Sequence, residues 1–301
     1  MVDQASNLRK LVVAKKEVLP SKTRTIAVTS GKGGVGKTSL SVGLSIALAK
    51  LGSSVTLLDA DLGLANINVI LGIIPQYNLY HVIRGKKKLK DIIIPVPEGI
   101  KIIAGASGFH QLANLDVKQR KEFIDDISEL EGDDFMIIDT GAGVSQNVMS
   151  FVTAAEEVIV VTTPEPTAIT DAYGIIKSIA AHSNEKTIKL IVNRCASVSE
   201  GKRVAQRIIN IAGQFLNIKV ESLGFVYDDE SVPKSVRNQK PFIVSYPKSK
   251  SAVCVNMIAQ RIANKEIEIN ASSGLGGFFR NLFKSHEIED DENRNDDDND
   301  A

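Results

Sequence analysis

The 301-residue sequence lacks the features of a secreted or membrane-spanning protein. It contains no tryptophan and only two cysteines, Cys195 and Cys254, whose spacing fits neither a zinc site nor a CxxC redox pair. No apolar run approaches the roughly 18 to 20 residues that a membrane span requires, and the first residues have no signal-peptide character. We therefore expect a cytoplasmic protein in which both cysteines are buried apolar residues.

The chain also lacks net charge, but its charges are unevenly distributed. Residues 287–301 hold nine acidic residues against one arginine, a net charge of −8, so the rest of the chain carries +8. Because this tail has almost no apolar residues, it is predicted to be disordered. Its simplest interpretation is a solubilising end, and the alternative is a specific role.

From residue 25 onward, short β-branched runs alternate with longer segments of helical period. This pattern is typical of an α/β fold with a doubly wound, mostly parallel sheet and helices on both faces. The predicted strands are Thr25–Thr29, Ser54–Asp59, Lys101–Ala104, Phe135–Asp139, Glu157–Thr162, Thr187–Asn193 and Val220–Val226. The predicted helices are Lys37–Leu51, Val117–Leu130, Ala168–His182, Ser199–Phe215 and Ser251–Lys265. With 43% apolar residues, the chain is expected to form one domain over residues 24–270, with an appendage at each end.

A glycine-rich loop with the Walker A pattern G-x4-G-K-[ST] lies between the first predicted strand and the first predicted helix. Its glycines allow successive backbone N–H groups to point inward at the positive end of a helix, which forms a nest for phosphate groups. Lys37 is expected to neutralise phosphate oxygens and Thr38 to ligate Mg²⁺. A merely structural glycine turn would leave the Lys-Thr pair unexplained. The predicted nucleotide contacts are Gly31, Lys32, Gly33, Gly34, Val35, Gly36, Lys37, Thr38 and Ser39.

Three carboxylates follow predicted strands, at the edge where doubly wound sheets bind ligands. Asp59 and Asp61 end the second strand, and Asp139 ends a buried strand in the manner of a Walker B segment. Asp59 is expected near the metal, and Asp139 is expected to hold Mg²⁺ through water. Asn193 ends a later strand with an amide that suits either the adenine edge or the cap of a turn. No N-K-x-D signature for guanine is present, so ATP is favoured.

Lys32 makes the loop unusual, because the string G-K-G-G-V-G-K-T resembles the deviant Walker A motif of the MinD/ParA family of dimeric ATPases. In that family the additional lysine reaches across a dimer interface to the partner's phosphates. The resemblance implies that Lys32 acts in trans, like an arginine finger, and that Asp61 orients the attacking water. An exposed loop lysine is the alternative for Lys32. The implied catalytic residues for hydrolysis of ATP to ADP and phosphate are Lys32, Lys37 and Asp61.

Apolar residues recur at helical spacing in the segment 271–286. They are Leu275, Phe278, Phe279, Leu282 and Phe283. The stripe resembles the amphipathic membrane-targeting helix of MinD and FlhG proteins, and it implies reversible attachment of an ATP-dependent homodimer to the inner face of the cytoplasmic membrane. Three glycines nearby each cost a helix roughly 1 kcal/mol, so the segment is expected to fold only on a surface. Packing of the stripe on the domain's own core is the alternative.

The amino-terminal segment 1–23 resembles the DQAxxLR segment of the FlhG (FleN/YlxH) branch of the family. The matching residues are Asp3, Gln4, Ala5, Leu8 and Arg9. The resemblance implies that this segment stimulates an FlhF-type GTPase, that flagellar basal-body components are further partners, and that the ATPase regulates flagellar number and placement. A simpler interpretation makes Asp3 the N-cap of a short helix, and the two interpretations are compatible.

Two other cellular roles are alternatives for an ATPase of this family. One is division-site selection, as by MinD, and the other is DNA partition, as by ParA. The net charge of +8 outside the tail permits DNA binding. The run Lys86-Lys87-Lys88 is more typical of a solvated loop than of a DNA contact, so nucleic acid is not expected as a partner.

Overall fold

The computed structural model describes residues 23–61, 66–105, 132–182, 186–264 and 275–283. Three predicted features lie outside the described residues: the partner segment at the amino terminus, with Asp3, Gln4, Ala5, Leu8 and Arg9, the helix Val117–Leu130, and the acidic tail 287–301. The expectations for these segments stay predictions.

A single sheet organises the described part of the chain. Its strands are β1 (Arg24–Ser30), β2 (Val55–Ala60), β3 (Ile93–Pro95), β4 (Lys101–Ile103), β5 (Phe135–Ala142), β6 (Glu157–Thr162), β7 (Ile188–Cys195) and β8 (Val220–Tyr227). Their order is β3-β4-β2-β5-β1-β6-β7-β8. All neighbours are parallel except β3 and β4. The predicted fold class and all seven predicted strands are confirmed, and β3, which ends at a proline, was not predicted.

Helices pack on both faces of this sheet. They are α1 (Lys37–Lys50), α2 (Ile67–Leu71), α3 (Leu79–Ile83), α4 (Gln146–Ala154), α5 (Pro166–His182), α6 (Val198–Phe215), α7 (Ser231–Arg237), α8 (Phe242–Ser245), α9 (Lys250–Ala263) and α10 (275–283). The four longest of them agree with the predicted helices to within two residues at each end. Among the described residues, none of these helices is sufficiently long and apolar to span a bilayer.

Strand residues alternate between two apolar cores, one on each face of the sheet. In β5, Met136 and Ile138 face the core formed with α4, α5 and α6, whereas Ile137 faces the core formed with α1 and α9. All three side chains are almost completely buried. This burial explains why the strands read as continuous apolar runs.

Helix α10 packs on the first of these cores. Its buried side chains are Leu275, Phe278, Phe279, Leu282 and Phe283. The Phe278 ring stacks on Phe151 of α4 with centroids 6.4 Å apart and meets Phe279 edge-on at 4.9 Å. The expectation that this segment folds only on an external surface is therefore corrected, because the domain's own core supplies an apolar surface. Contact of the stripe with lipid stays a prediction.

The topology brings the predicted site residues to one edge of the sheet. Strands β1, β2 and β5 are parallel neighbours, so their carboxyl ends open on the same side. The glycine-rich loop follows β1, Asp61 follows β2, and Asp139 lies in the last half of β5. Ligands of doubly wound sheets bind at this edge.

Candidate nucleotide site

A cleft of about 400 Å³ opens at the carboxyl ends of β1, β2 and β5. Loop residues lining it are Lys32, Gly33, Gly34, Gly36, Lys37, Thr38 and Ser39. Gly34 and Gly36 have φ angles of 79° and 89°, a region that other residues rarely adopt. Helix α1 begins directly after the loop, so the positive end of its dipole lies at the cleft. The predicted phosphate nest is thus brought together around one cavity.

Gly31 and Val35 hold the loop from behind instead of lining the cleft. A Cβ atom on Gly31 would lie 2.0 Å from the carbonyl oxygen of Asp171 in α5, so only glycine fits against that helix. The side chain of Val35 is buried, and its carbonyl accepts a hydrogen bond of 2.8 Å from Asn193 Nδ2. The Asn193 amide therefore braces the loop, and its contact with adenine stays a prediction.

Asp139 lies beneath the loop and is completely buried. Its Oδ1 accepts a hydrogen bond of 2.8 Å from Ser41 Oγ and lies 3.6 Å from Lys37 Nζ. Burial raises the pKa of Asp139, while Lys37, Thr38 and Ser41 act in the opposite direction. Asp139 Oδ2 is buried and has no hydrogen-bond partner among the described residues.

These groups fit Mg²⁺. An orphaned carboxylate oxygen beside a threonine hydroxyl matches the hard oxygen ligands of this ion, which usually keeps several waters and also binds phosphate. The described residues contain no group of three His, Cys, Asp or Glu side chains that could hold a metal alone. The ion at this site would therefore depend on Thr38, on Asp139 and on the nucleotide's own oxygens.

Asp59 lies opposite Asp139 in the register of β2 and β5. Its carboxylate accepts the backbone N–H groups of Asp61 at 3.2 Å and Ile67 at 3.4 Å, and so joins the two ends of the segment that follows β2. Burial and the nearby Asp139 raise the pKa of Asp59 to about 7. A divalent cation at the site would lower that pKa. Asp61 lines the cleft and lies beside Gly141: a Cβ atom added to this glycine would be 3.6 Å from Asp61 Oδ1.

Lys32 is bound to its own chain. Its Nζ donates to Glu165 Oε2 at 3.0 Å and to Thr167 Oγ1 at 2.7 Å, in the segment that joins β6 to the first turn of α5. The side chains of Lys32 and Glu165 are 38% and 54% exposed. An ion pair this exposed contributes at most about 1 kcal/mol, so a stronger anion would displace Glu165.

Three residues of the site were not predicted from the sequence. Ser41 was missed although it is one of two fully buried serines in α1, one helical turn after Lys37. A polar residue at a buried position of an apolar helix was the available signal. Glu165 and Thr167 gave no signal, because more than 130 residues separate them from Lys32 and no motif connects them.

Comparisons with known proteins agree with this geometry. The profile of the CobQ/CobB/MinD/ParA nucleotide-binding domain matches residues 26–242. The antiactivator FleN of Pseudomonas aeruginosa is 38% identical over 262 residues, which cover 87% of this chain and 94% of FleN. The flagellum site-determining protein YlxH of Helicobacter pylori is 34% identical over 294 residues, which cover 94% of this chain and 99% of YlxH. Among solved structures, the septum site-determining protein MinD of Pyrococcus horikoshii, complexed with Mg-ADP, gives a TM-score of 0.66 at 29% identity, covering 80% of this chain and 96% of that one.

Proposed function

Since the chain belongs to the CobQ/CobB/MinD/ParA family of nucleotide-binding proteins, we propose that it is an ATP-driven switch that sets the number and placement of flagella. One observation carries the proposal. A cleft lined by the glycine-rich loop and Asp61 occurs in a chain that matches FleN and YlxH, two proteins named for flagellar control, over almost its whole length.

The chain binds ATP with Mg²⁺ and is an ATPase. Backbone N–H groups of the glycine-rich loop and Lys37 hold the phosphates at the amino end of α1. Thr38 and Asp139 would hold Mg²⁺, which would supply neutralising charge on the phosphate oxygens. Asp61, which also lines the cleft, orients the attacking water by accepting one of its hydrogen bonds.

Dimerisation completes the site in this proposal. Lys32 exchanges its own Glu165 for the phosphates of a nucleotide bound to a second copy of the chain. A triphosphate carries more negative charge than one carboxylate, so ATP favours the exchange. Hydrolysis removes the terminal phosphate and returns Lys32 to Glu165.

Helix α10 connects the dimer to the membrane. Its five apolar side chains are buried in the single chain, so they reach lipid only after the helix leaves its groove. Insertion in a bilayer buries the same side chains again, so the free energies of the docked and the membrane-inserted helix are nearly equal. A dimer presents two such helices, and their combined avidity favours binding to the membrane. The protein is then cytoplasmic as a monomer and reversibly bound to the inner face of the cytoplasmic membrane as a dimer.

The amino-terminal segment 1–23 binds the partner protein that the switch controls. Asp3, Gln4, Ala5, Leu8 and Arg9 stimulate an FlhF-type GTPase, and basal-body components are further partners. A GTPase assay with a peptide of residues 1–23 tests this step. If the peptide leaves the GTPase rate unchanged while the whole chain raises it, the partner contact lies elsewhere.

A sedimentation assay with liposomes tests the switch. ATP is expected to increase the bound fraction of wild type, and more so of Asp61→Ala, which binds ATP but hydrolyses it slowly. Lys32→Ala and a chain ending at residue 270 are expected to remain in the supernatant. If ATP does not increase binding, or if the shortened chain still sediments, the membrane switch is wrong.

A cellular count separates flagellar control from division-site selection. Deleting the gene is expected to change the number or position of flagella, and wild type but not Lys37→Ala is expected to restore it. Minicells with an unchanged flagellar pattern would instead support the MinD-like alternative.

A further inference from the structure

A basic surface borders helix α10. Residues 84–90, between α3 and the 3-10 turn Leu89–Asp91, contain five cations and no acid: Arg84, Lys86, Lys87, Lys88 and Lys90. We call this segment the basic loop. Lys86, Lys88 and Lys90 are exposed, and Lys87 lies over the ring of Tyr77 at 4.0 Å. These lysines therefore project from an ordered surface.

The lysine charges of the basic loop are not compensated locally. None of its four lysines forms an ion pair with a carboxylate in the part of the chain that the structure describes. Asp91, the next acid, accepts the backbone N–H of Lys88 and caps the 3-10 turn. Even when Asp91 is counted, residues 84–91 carry a net charge of +4.

The basic loop and α10 share a wall. Leu89, between two of the lysines, is buried and lines a small cavity together with Leu275 and Phe279 of α10. The cations on either side of Leu89 are therefore close to the helix. Phe283, the last described residue, lies four residues or about 6 Å of helix beyond Phe279.

The acidic tail follows α10 closely in the sequence. Its first acid, Glu287, follows Phe283 by four residues, which span at most about 14 Å when extended. The tail carries a net charge of −8, opposite in sign to the basic loop, and a few residues connect it to α10, which shares a cavity wall with that loop. Tethering over such a short distance gives an effective concentration on the order of millimolar, so even a weak attraction keeps the tail bound for much of the time.

We propose that the basic loop 84–90 is the docking surface of the chain's own acidic tail 287–301. The inference rests on charge and chain connectivity and does not depend on the client of the ATPase. It also gives the acidic segment after α10 a physical role, since anionic lipid would have to displace the tail from the same cations.

Carbodiimide cross-linking of the whole chain, with peptide mass spectrometry, tests the docking. This reagent joins a lysine to a carboxylate in direct contact. Cross-links from Lys86, Lys88 and Lys90 to the acids of 287–300 are expected at about 50 mM salt, at least fivefold above those from the exposed Lys202 on α6. They are expected to disappear at about 1 M salt, where the Debye length falls to about 3 Å.

Two double variants with the same change in charge provide the control. Lys86→Glu/Lys88→Glu is expected to reduce cross-links between Lys90 and the tail at least fivefold. Lys202→Glu/Arg203→Glu, at exposed positions of α6, is expected to leave them within twofold. Equal loss in both variants, or tail cross-links spread evenly over Lys202 and the basic loop, overturns the proposal. Absence of tail cross-links at low salt also overturns it. Protection of Lys86 and Lys88 from acetylation by vesicles containing phosphatidylglycerol would then identify the basic loop as a lipid surface.

Discussion

Replacement of Phe278 by alanine tests how firmly α10 is held. Five buried apolar side chains at about 2 kcal/mol each stabilise its docking by about 10 kcal/mol. Ordering nine residues costs about 1 to 1.5 kcal/mol each, or about 9 to 14 kcal/mol. The two sums nearly cancel, so docking of α10 is marginal even though its side chains are as buried as those of the main core.

Phe278→Ala is then expected to release α10 without unfolding the domain. Loss of this ring, with its contacts to Phe151 and Phe279, costs about 3 to 5 kcal/mol while the helix stays docked, more than docking supplies. Hydrogen exchange in residues 275–283 is expected to rise at least tenfold, and the open groove is expected to bind the dye ANS. The urea unfolding free energy of the rest is expected to change by less than about 1 kcal/mol.

Arg280→Ala is the matched control, because Arg280 is exposed on the same helix and its loss is expected to leave exchange unchanged. The reasoning is refuted if Phe278→Ala lowers the global unfolding free energy by 3 to 5 kcal/mol, because α10 would then be an integral part of the core. It is equally refuted if exchange in 275–283 does not change.

Three further predictions concern the site and its support. Gly31→Ala is expected to weaken ATP binding at least tenfold, because its Cβ would lie 2.0 Å from a carbonyl oxygen of α5. Gly174→Ala, in α5 and away from the cleft, with nothing within 4 Å of its Cβ, is expected to change binding little. Calorimetry with Mg-ATP would check both, and equal effects would contradict the geometry. Ser41→Ala is expected to weaken ATP binding severalfold with Mg²⁺ but not with EDTA, because Asp139 loses its hydroxyl donor. Equal losses of affinity in both buffers would show that Ser41 does not act through the metal site. Lys186→Met is expected to lower the free energy of unfolding in urea by about 2 kcal/mol, because Lys186 Nζ donates to the carbonyls of Val152, Thr153 and Ala155 at the end of α4. Lys177→Met, at an exposed position, is expected to leave this free energy unchanged. No change in Lys186→Met would show that water replaces the ammonium group.

The parts of the fold and site that were predicted from the sequence are those fixed by short-range pattern. A buried strand must be apolar on both faces, and a phosphate loop needs glycines and lysine at fixed spacing, so β1, the loop and α1 were predicted together. Asp61 and Asp139 were found because a parallel sheet gathers the carboxyl ends of its strands.

The remainder depends on contacts between distant segments, to which no local pattern points. Lys32 meets Glu165 only because the segment after β6 folds back over the glycine-rich loop. Asn193 braces Val35 from a strand 158 residues away. The stripe of α10 has the same period whether it faces lipid or protein, so the sequence could not distinguish the two surfaces. Burial in the structure identifies protein as its partner in the single chain.

The central claim is that nucleotide occupancy decides whether one chain or two form the site. Light scattering on the full-length Asp61→Ala variant measures this directly. The account predicts the mass of a dimer with Mg-ATP, the mass of a monomer with Mg-ADP, and a monomer in both when Lys32→Ala is added. A monomer with saturating Mg-ATP, or a dimer that persists in Mg-ADP, would contradict it.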